Sequence, residues 1–359
     1  METKASVRDE AARLQAFFEA AGAQVIETDI LQPADTLLDL YGEDIRARAF
    51  VTHDPLSGEQ MLRPDFTVPV VQMHMAGGAE TARYTYAGQV FRRQEDGAAL
   101  ASEFLQVGYE VFDGSDPAGA DSEVFSLFSQ VLAPLGLRAA TGDMGILMAA
   151  VQGLRTTDQR KAALSRHIWR PDRFRALLER FGARAGIPPS RAALLAEPDP
   201  LQRAKPLIGL RSAEEIAERI AALQQDAGEP PISQGEVALL DRILDLNAKS
   251  PAALSRLQDM ASDMRALQPS VDRMAARLDA LDARGIDVAA LDFEASYGRT
   301  SMEYYDGFVF GFYAENRPDL PPVATGGRYD ALTRVLGQGR LIPAVGGVIR
   351  PALMREAAS

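Results

Sequence analysis

The chain carries Arg83-Tyr-Thr-Tyr-Ala-Gly-Gln-Val-Phe-Arg-Arg-Gln-Glu95 followed by Glu103-Phe-Leu-Gln-Val-Gly-Tyr-Glu-Val-Phe112, and these two stretches decide its fold. Both are rich in aromatic and β-branched residues, which predicts two neighbouring strands. The connection at 94–102 is longer than a tight hairpin turn. A connection of that length is more often functional than a simple link, and such a loop can close over a ligand.

The second strand carries a polar face. Side chains alternate along a strand, so Gln106, Gly108 and Glu110 share one side. One interpretation is plain solvent exposure, since half-exposed antiparallel strands alternate in this way. The other is a pocket floor, because a mid-strand glycine weakens the strand unless something approaches its backbone closely. A small ligand lying over Gly108 would supply that reason.

Composition describes an ordinary globular chain. With 359 residues and 47% hydrophobic content, it can bury at least one large core and form one domain with a lobe, or two domains. The net charge of −12 argues against a nucleic-acid surface, which needs clustered Lys and Arg. No run approaches the roughly 18 apolar residues of a membrane span, and the N-terminus is polar. We therefore expect a cytoplasmic protein that binds neither nucleic acid nor membrane.

Metal chemistry is also disfavoured. The chain has no cysteine and only three histidines, His53, His74 and His167. Disulfides and thiolate metal sites are thereby removed, and a zinc site would have to consist mainly of carboxylates. We expect no metal and no cofactor.

The middle of the chain reads as helix. From 151 to 286 apolar residues recur at helical spacing, which predicts a mainly helical insert between core segments 1–150 and 287–359. Within it, Ser233-Gln-Gly-Glu236 has the form of a capping box that opens a helix. Beyond the insert, alternation in Gly307-Phe-Val-Phe-Gly-Phe-Tyr313 predicts a further strand of the sheet.

Several motifs occur in a specific order. They are Leu62-Arg-Pro-Asp-Phe-Thr67, Phe91-Arg92, the strand 104–112, Glu303-Tyr-Tyr305 and Gly326-Gly-Arg-Tyr-Asp330. In these segments the chain resembles the histidyl-tRNA synthetase family, and in particular its shortened branch, the regulatory subunits of ATP phosphoribosyltransferase. The resemblance implies an α+β fold, in which a class II synthetase-like antiparallel sheet is flanked by helices and carries a helical insert.

The resemblance also implies a site for free histidine. The implied residues are Asp65, Thr67 and Gln106 facing the ammonium, Glu110, Tyr305 and Tyr329 at the ring nitrogens, Arg92 at the carboxylate, and Tyr304 beside them. Buried charges need such partners, and a site built to hydrogen-bond a ligand rejects analogues without those groups. Simpler interpretations are core packing for Tyr304 and Tyr305, a structural ion pair for Arg92, and a turn or cap role for Asp65.

At three positions the sequence lacks a positively charged side chain that the synthetase pattern has. Glu95 stands where a second arginine of the Phe-Arg-x-Glu-Arg pattern is expected, Thr300 replaces the arginine before the tyrosine pair, and Leu353 replaces the arginine that stacks on ATP. Adenylate transfer depends on positioned cations, so their loss predicts that no residue here is catalytic.

The function implied by the resemblance is regulatory. We expect a non-catalytic subunit that works with the short-form catalytic subunit of ATP phosphoribosyltransferase in the first step of histidine biosynthesis and mediates feedback inhibition by L-histidine. The segment Ile26–Pro33 is expected to support a homodimer. Alternatives are a divergent class II amino-acid-activating ligase and a scaffold without a ligand.

Overall fold

The computed structural model describes residues 4–41, 45–77, 79–94, 101–202, 209, 211–299 and 304–358. The chain divides into two compact units. Unit 1 comprises Met1–Ala150 and Ile243–Ser359, and unit 2 comprises Val151–Arg242.

The strands of the described residues form two sheets, both in unit 1. Their bounds are β1 Gln24–Val25, β2 Leu31–Pro33, β3 Val51–Asp54, β4 Gly58–Leu62, β5 Ala82–Phe91, β6 Glu103–Phe112, β7 Arg138–Asp143, β8 Asn247–Lys249, β9 Asp292–Glu294, β10 Phe308–Tyr313, β11 Ala324–Arg328 and β12 Ala344–Ile349. The large sheet has the order β1-β5-β6-β12-β11-β10-β7-β9-β8, and a small sheet has the order β2-β4-β3. The large sheet is antiparallel except where β1 meets β5 and β7 meets β9.

The helices surround this sheet or form unit 2. Their bounds are α1 Lys4–Ala20, α2 Ala34–Tyr41, α3 Ile45–Arg48, α4 Thr67–Gly77, α5 Pro117–Leu132, α6 Met144–Gly153, α7 Asp158–Arg166, α8 Pro171–Phe181, α9 Pro189–Ala196, α10 Ala213–Gly228, α11 Gln234–Leu244, α12 Ser250–Asp263, α13 Gln268–Ala283, α14 Asp330–Leu336 and α15 Pro351–Ala357. Within the described ranges, no helix combines the length and apolar character needed to cross a bilayer.

The predicted hairpin is confirmed as β5 and β6, which pair from Ala82 opposite Phe112 to Phe91 opposite Glu103. Its polar face is not exposed to solvent. Gln106 is 0% exposed and Glu110 is 1% exposed. The solvent-exposure interpretation was therefore wrong. These polar side chains of β6 are buried in the interior of unit 1. Residues 95–100 of the connecting loop lie outside the described residues.

The opposite face of the sheet packs against helix. On β10, Phe308, Phe310 and Phe312 point to one side, as the alternation predicted. Phe310 packs edge-on against Phe125 and Phe128 of α5, with ring centroids 5.5 Å apart in both pairs. This aromatic layer anchors α5 to the sheet and leaves the other face free to form a site.

Unit 2 is shorter than the helical insert predicted from composition. Its start at Val151 coincides with the predicted start, but it ends at Arg242 rather than at 286. Helix α13 belongs to unit 1, where Arg277 pairs with Asp121 of α5 at 3.3 Å and with Asp143 of β7 at 2.8 Å. The same amphipathic spacing occurs in the helices of both units, so periodicity alone did not separate them.

The predicted capping box is confirmed inside unit 2. The Glu236 N–H donates to Ser233 Oγ at 3.2 Å, and the Ser233 N–H donates to Glu236 Oε2 at 3.3 Å. These two bonds satisfy free amide groups at the start of α11. Four residues of sequence were sufficient to predict them.

Candidate functional site

A cavity of about 480 Å³ opens on the polar face of the large sheet. Its walls come from the segment before α4, from β6, from the segment after β9, and from the ends of β10 to β12. The lining residues that carry polar side chains are Asp65, Thr67, Arg92, Gln106, Glu294, Ser296, Tyr297, Tyr304, Tyr305, Tyr313, Thr325 and Arg350. All of them belong to unit 1.

Six of the eight residues implied by the resemblance line this cavity, namely Asp65, Thr67, Arg92, Gln106, Tyr304 and Tyr305. Glu110 and Tyr329 are buried at 1% exposure each and are not part of its lining. Sequence reasoning thus identified six residues that come together around one cavity, and Glu110 contacts one of them, Thr67. Ligand contact by any of the eight residues stays a prediction. Glu303 and the departures Glu95 and Thr300 lie outside the described residues.

Glu110 forms the centre of a cluster of hydroxyl groups. Its Oε1 accepts from Tyr86 Oη at 2.8 Å and from Thr67 Oγ1 at 3.4 Å, and its Oε2 accepts from Tyr329 Oη at 2.6 Å. Burial raises the pKa of Glu110 to about 7, although the three hydroxyl donors oppose that rise. Tyr304 Oη donates to Thr67 Oγ1 at 3.2 Å, so a chain of hydroxyls connects the cavity wall to this carboxyl group.

The space over Gly108 is occupied by the protein itself. A Cβ at this position would overlap the phenol ring of Tyr86, which lies on the neighbouring strand β5 opposite Gly108. The expectation that a ligand fills this space was therefore wrong. The glycine lets the Tyr86 ring lie flat on the sheet, and that position brings its hydroxyl to Glu110.

Gln106 is the clearest binding element of the cavity. It is 0% exposed, it lines the cavity, and neither Oε1 nor Nε2 has a hydrogen-bond partner within the described part of the chain. An unsatisfied buried amide costs free energy of about 1–3 kcal/mol. The arrangement is accounted for if a polar ligand supplies the missing partners.

Asp65 and Arg92 bring opposite charges to the same cavity. Asp65 is 4% exposed, and its Oδ1 lies 3.5 Å from the N–H of Val68 at the start of α4, which agrees with the alternative cap role. Arg92 Nε donates to the carbonyl oxygen of Pro64 at 2.7 Å. No ion pair of Arg92 with a described residue is observed, so the alternative of a structural ion pair is not supported there.

Sequence reasoning missed Arg350, which follows β12 and lines the cavity. It also missed Glu294, Tyr297, Tyr313 and Thr325. The available signal was alternation along β10, which places Tyr313 on the face opposite Phe312. Alternation could not place Arg350 at the cavity, because only strand pairing shows that the end of β12 lies beside β6.

Leu353, which the resemblance aligns with the ATP-stacking arginine, is 1% exposed within α15. Among the described residues, no group of three or more His, Cys, Asp or Glu side chains could hold a metal ion. The cavity offers hydrogen-bonding and charged groups suited to a small polar molecule.

Comparison with known proteins identifies the class of fold to which the chain belongs. A sequence model of the family described as Histidyl-tRNA synthetase matches residues 2–229 and 216–352. A solved structure titled as an ATP phosphoribosyltransferase regulatory subunit/histidyl-tRNA synthetase from Bacillus halodurans has a TM-score of 0.69, with 20% identity over 100% of this chain and 82% of that chain. The fold is therefore that of the class II histidyl-tRNA synthetase-like proteins.

Curated relatives narrow this class. The ATP phosphoribosyltransferase regulatory subunit of Mesorhizobium japonicum is 32% identical, and the alignment covers 97% of this chain and 98% of that protein. The protein of the same name from Brucella canis is 32% identical over 93% of each chain. The chain belongs to the family of ATP phosphoribosyltransferase regulatory subunits. Its role is regulatory rather than catalytic.

Proposed function

We propose that this regulatory subunit senses L-histidine in the cytoplasm and transmits feedback inhibition to the short-form catalytic subunit of ATP phosphoribosyltransferase. The observation that carries the proposal is the buried amide of Gln106, which lacks a partner among the described residues and lines a cavity with Asp65 and Arg92. Amide, acid and guanidinium match the donors and charges of a zwitterionic amino acid.

The imidazole end of the ligand has matching partners as well. Histidine titrates near pH 6.5, so its ring needs groups that both donate and accept. Tyr304 and Thr67 hydroxyls can do both, and they connect to Glu110. Because the pKa of Glu110 is raised to about 7, this carboxyl group can adjust its protonation to either form of the ring. In this proposal Glu110 acts through the hydroxyl chain rather than by direct contact.

Regulation requires that histidine binds one assembly state more tightly than another. A coupling free energy of about 1–3 kcal/mol corresponds to a difference in histidine affinity of about 5- to 150-fold between the two assembly states. In this proposal the side chains of the cavity determine which effector binds, and the assembly state of the complex determines the transferase activity.

The test is a histidine titration of the purified complex of this chain with the short-form catalytic subunit. We expect transferase activity only when both are present, and inhibition that follows the binding curve measured by isothermal titration on the regulatory chain. In parallel, ATP–pyrophosphate exchange with histidine should be absent. Histidine binding without any change in transferase activity, or clear histidine-dependent exchange, would contradict the proposal.

We further propose a homodimer through the small sheet. Leu31 of β2 and the preceding Ile30 are exposed by 47% and 43%, and both belong to the segment 26–33 that is expected to support a homodimer. Neighbouring exposed apolar side chains favour an interaction surface. Leu31→Asp should convert the dimer to a monomer in sedimentation velocity, whereas Val335→Asp on α14, which replaces a residue of 62% exposure, should not. A wild-type protein that sediments as a monomer at micromolar concentration excludes this proposal.

A further inference from the structure

Arg350 is a buried cation that lines the cavity. It is 8% exposed, its Nη1 donates to the carbonyl oxygen of Pro322 at 2.8 Å, and its Nη2 donates to Thr325 Oγ1 at 3.3 Å. Its Nε has no hydrogen-bond partner among the described residues. None of the interactions seen for it in that part of the chain involves a carboxylate.

Two other buried arginines in unit 1 differ in this respect, whereas the hydrogen bonds of buried Arg63 likewise go to carbonyl and hydroxyl oxygens. Arg277 and Arg328, with side chains 4% and 7% exposed, each form an ion pair with Asp121. A buried charge is costly unless a counterion compensates it. Among the described residues Arg350 has no such counterion, and a bound anion would supply one.

Arg92 adds a second positive charge at the same cavity. Burial, and next the charge of Arg92, lower the pKa of Arg350 to about 10. The guanidinium is therefore still charged at neutral pH, although its surroundings oppose that charge. An anion bound in the cavity would offset the free-energy cost of burying these two positive charges.

Strand register places Arg350 beside Gln106. On β12 and β6, Gly346 pairs with Glu110 and Val348 pairs with Gly108, both on the cavity face. The same register continued by one more pair brings Arg350 opposite Gln106. Two side chains with donors unpaired among the described residues, the Gln106 amide and the Arg350 Nε, thus belong to adjacent positions on one face.

We propose that Arg350 and Gln106, together with Arg92, form an anion subsite that holds the α-carboxylate of the amino-acid effector. This inference rests on the proposed function and adds to it the residue that fixes the carboxylate.

A carboxylate fits this set of donors. A planar guanidinium binds a carboxylate through directed, charge-assisted hydrogen bonds, and an amide N–H adds one more donor. A phosphate shares the same anion chemistry, so the experiment must separate the two sources.

The test uses the full chain and isothermal titration with three probes: L-histidine, L-histidinol, which lacks the carboxylate, and inorganic pyrophosphate. Wild type should bind histidine more tightly than histidinol by about 10- to 150-fold, the range expected for hydrogen bonds to a charged group. Arg350→Met should weaken the binding of histidine by a similar factor and leave the affinity for histidinol almost unchanged. The preference for the carboxylate would then disappear.

Two further variants control for trivial causes. Arg93→Met removes a neighbouring exposed cation that does not line the cavity, and it should retain the full preference for histidine. Arg350→Lys keeps the positive charge but lacks the planar guanidinium group. It should therefore weaken the binding of histidine while retaining part of the preference for histidine over histidinol. This variant is informative even if Arg350→Met does not fold, which circular dichroism will show.

The outcomes separate this inference from the proposed function. Histidine binding with an unchanged preference in both folded Arg350 variants would overturn the subsite while leaving histidine sensing intact. Pyrophosphate binding as tight as that of histidine, lost in the Arg350 variants, would assign the subsite to a phosphate and also overturn the inference. A wild-type chain that binds no histidine would instead refute the proposed function.

Discussion

Replacement of Asp121 by alanine is expected to lower the free energy of unfolding of unit 1 by about 3–5 kcal/mol, because it leaves two buried guanidinium groups without their shared counterion. Asp121 accepts from Arg277 at 3.3 Å and from Arg328 at 2.8 Å, and the three side chains are 4–7% exposed. Urea unfolding followed by far-UV circular dichroism will measure the change.

The matched control is Asp319→Ala. Asp319 forms a two-point contact with Arg317, at 2.9 and 2.8 Å, but the two side chains are 62% and 38% exposed. Solvent screens such a pair, so its loss should leave the free energy of unfolding almost unchanged. Equal effects of the two substitutions would show that the buried network does not stabilise unit 1 in the way described.

The variant Gln106→Leu is expected to bind histidine about 5- to 150-fold more weakly, equivalent to about 1–3 kcal/mol, without destabilising the ligand-free protein. Leucine has a similar shape, and the amide it replaces has no hydrogen-bond partner among the described residues. Removal of an unsatisfied buried polar group should leave the melting temperature unchanged or raise it. Thermal melts and isothermal titration on the same preparations will measure both quantities.

Gln32→Leu is the matched control for this variant. Gln32 is similarly buried, at 6% exposure, but its Nε2 donates to the carbonyl oxygen of Asp29 at 2.8 Å. Its replacement should lower the melting temperature and leave histidine affinity unchanged. If Gln106→Leu destabilises the ligand-free protein as much as Gln32→Leu does, then the Gln106 amide has a partner in solution and the argument for a ligand fails.

These two predictions rest on a division of the buried polar groups in unit 1. Asp121, Arg277 and Arg328 satisfy one another and hold α5 and α13 against the sheet. Gln106 and Arg350 have atoms without partners in the described chain, and both line the cavity. The first group stabilises the scaffold, and the second lowers stability in a way that a ligand can offset.

Local features of the sequence were sufficient for the hairpin β5–β6, for the aromatic face of β10 and for the capping box at Ser233 and Glu236. Each depends on residues within a few positions of one another, and alternation or cap chemistry encodes them directly. The ordered motifs also indicated the family and six of the cavity residues.

Tertiary structure alone decided the rest. It placed Tyr86 over Gly108, assigned α13 to unit 1, surrounded Glu110 with three hydroxyl donors, and brought Arg350 and Gln106 to the same cavity. Such contacts join residues as far apart as Asp121 and Arg328, which are separated by 207 positions. Strand order and register determine those neighbours, and a local period of two or 3.6 residues carries no information about which distant segment will pack alongside.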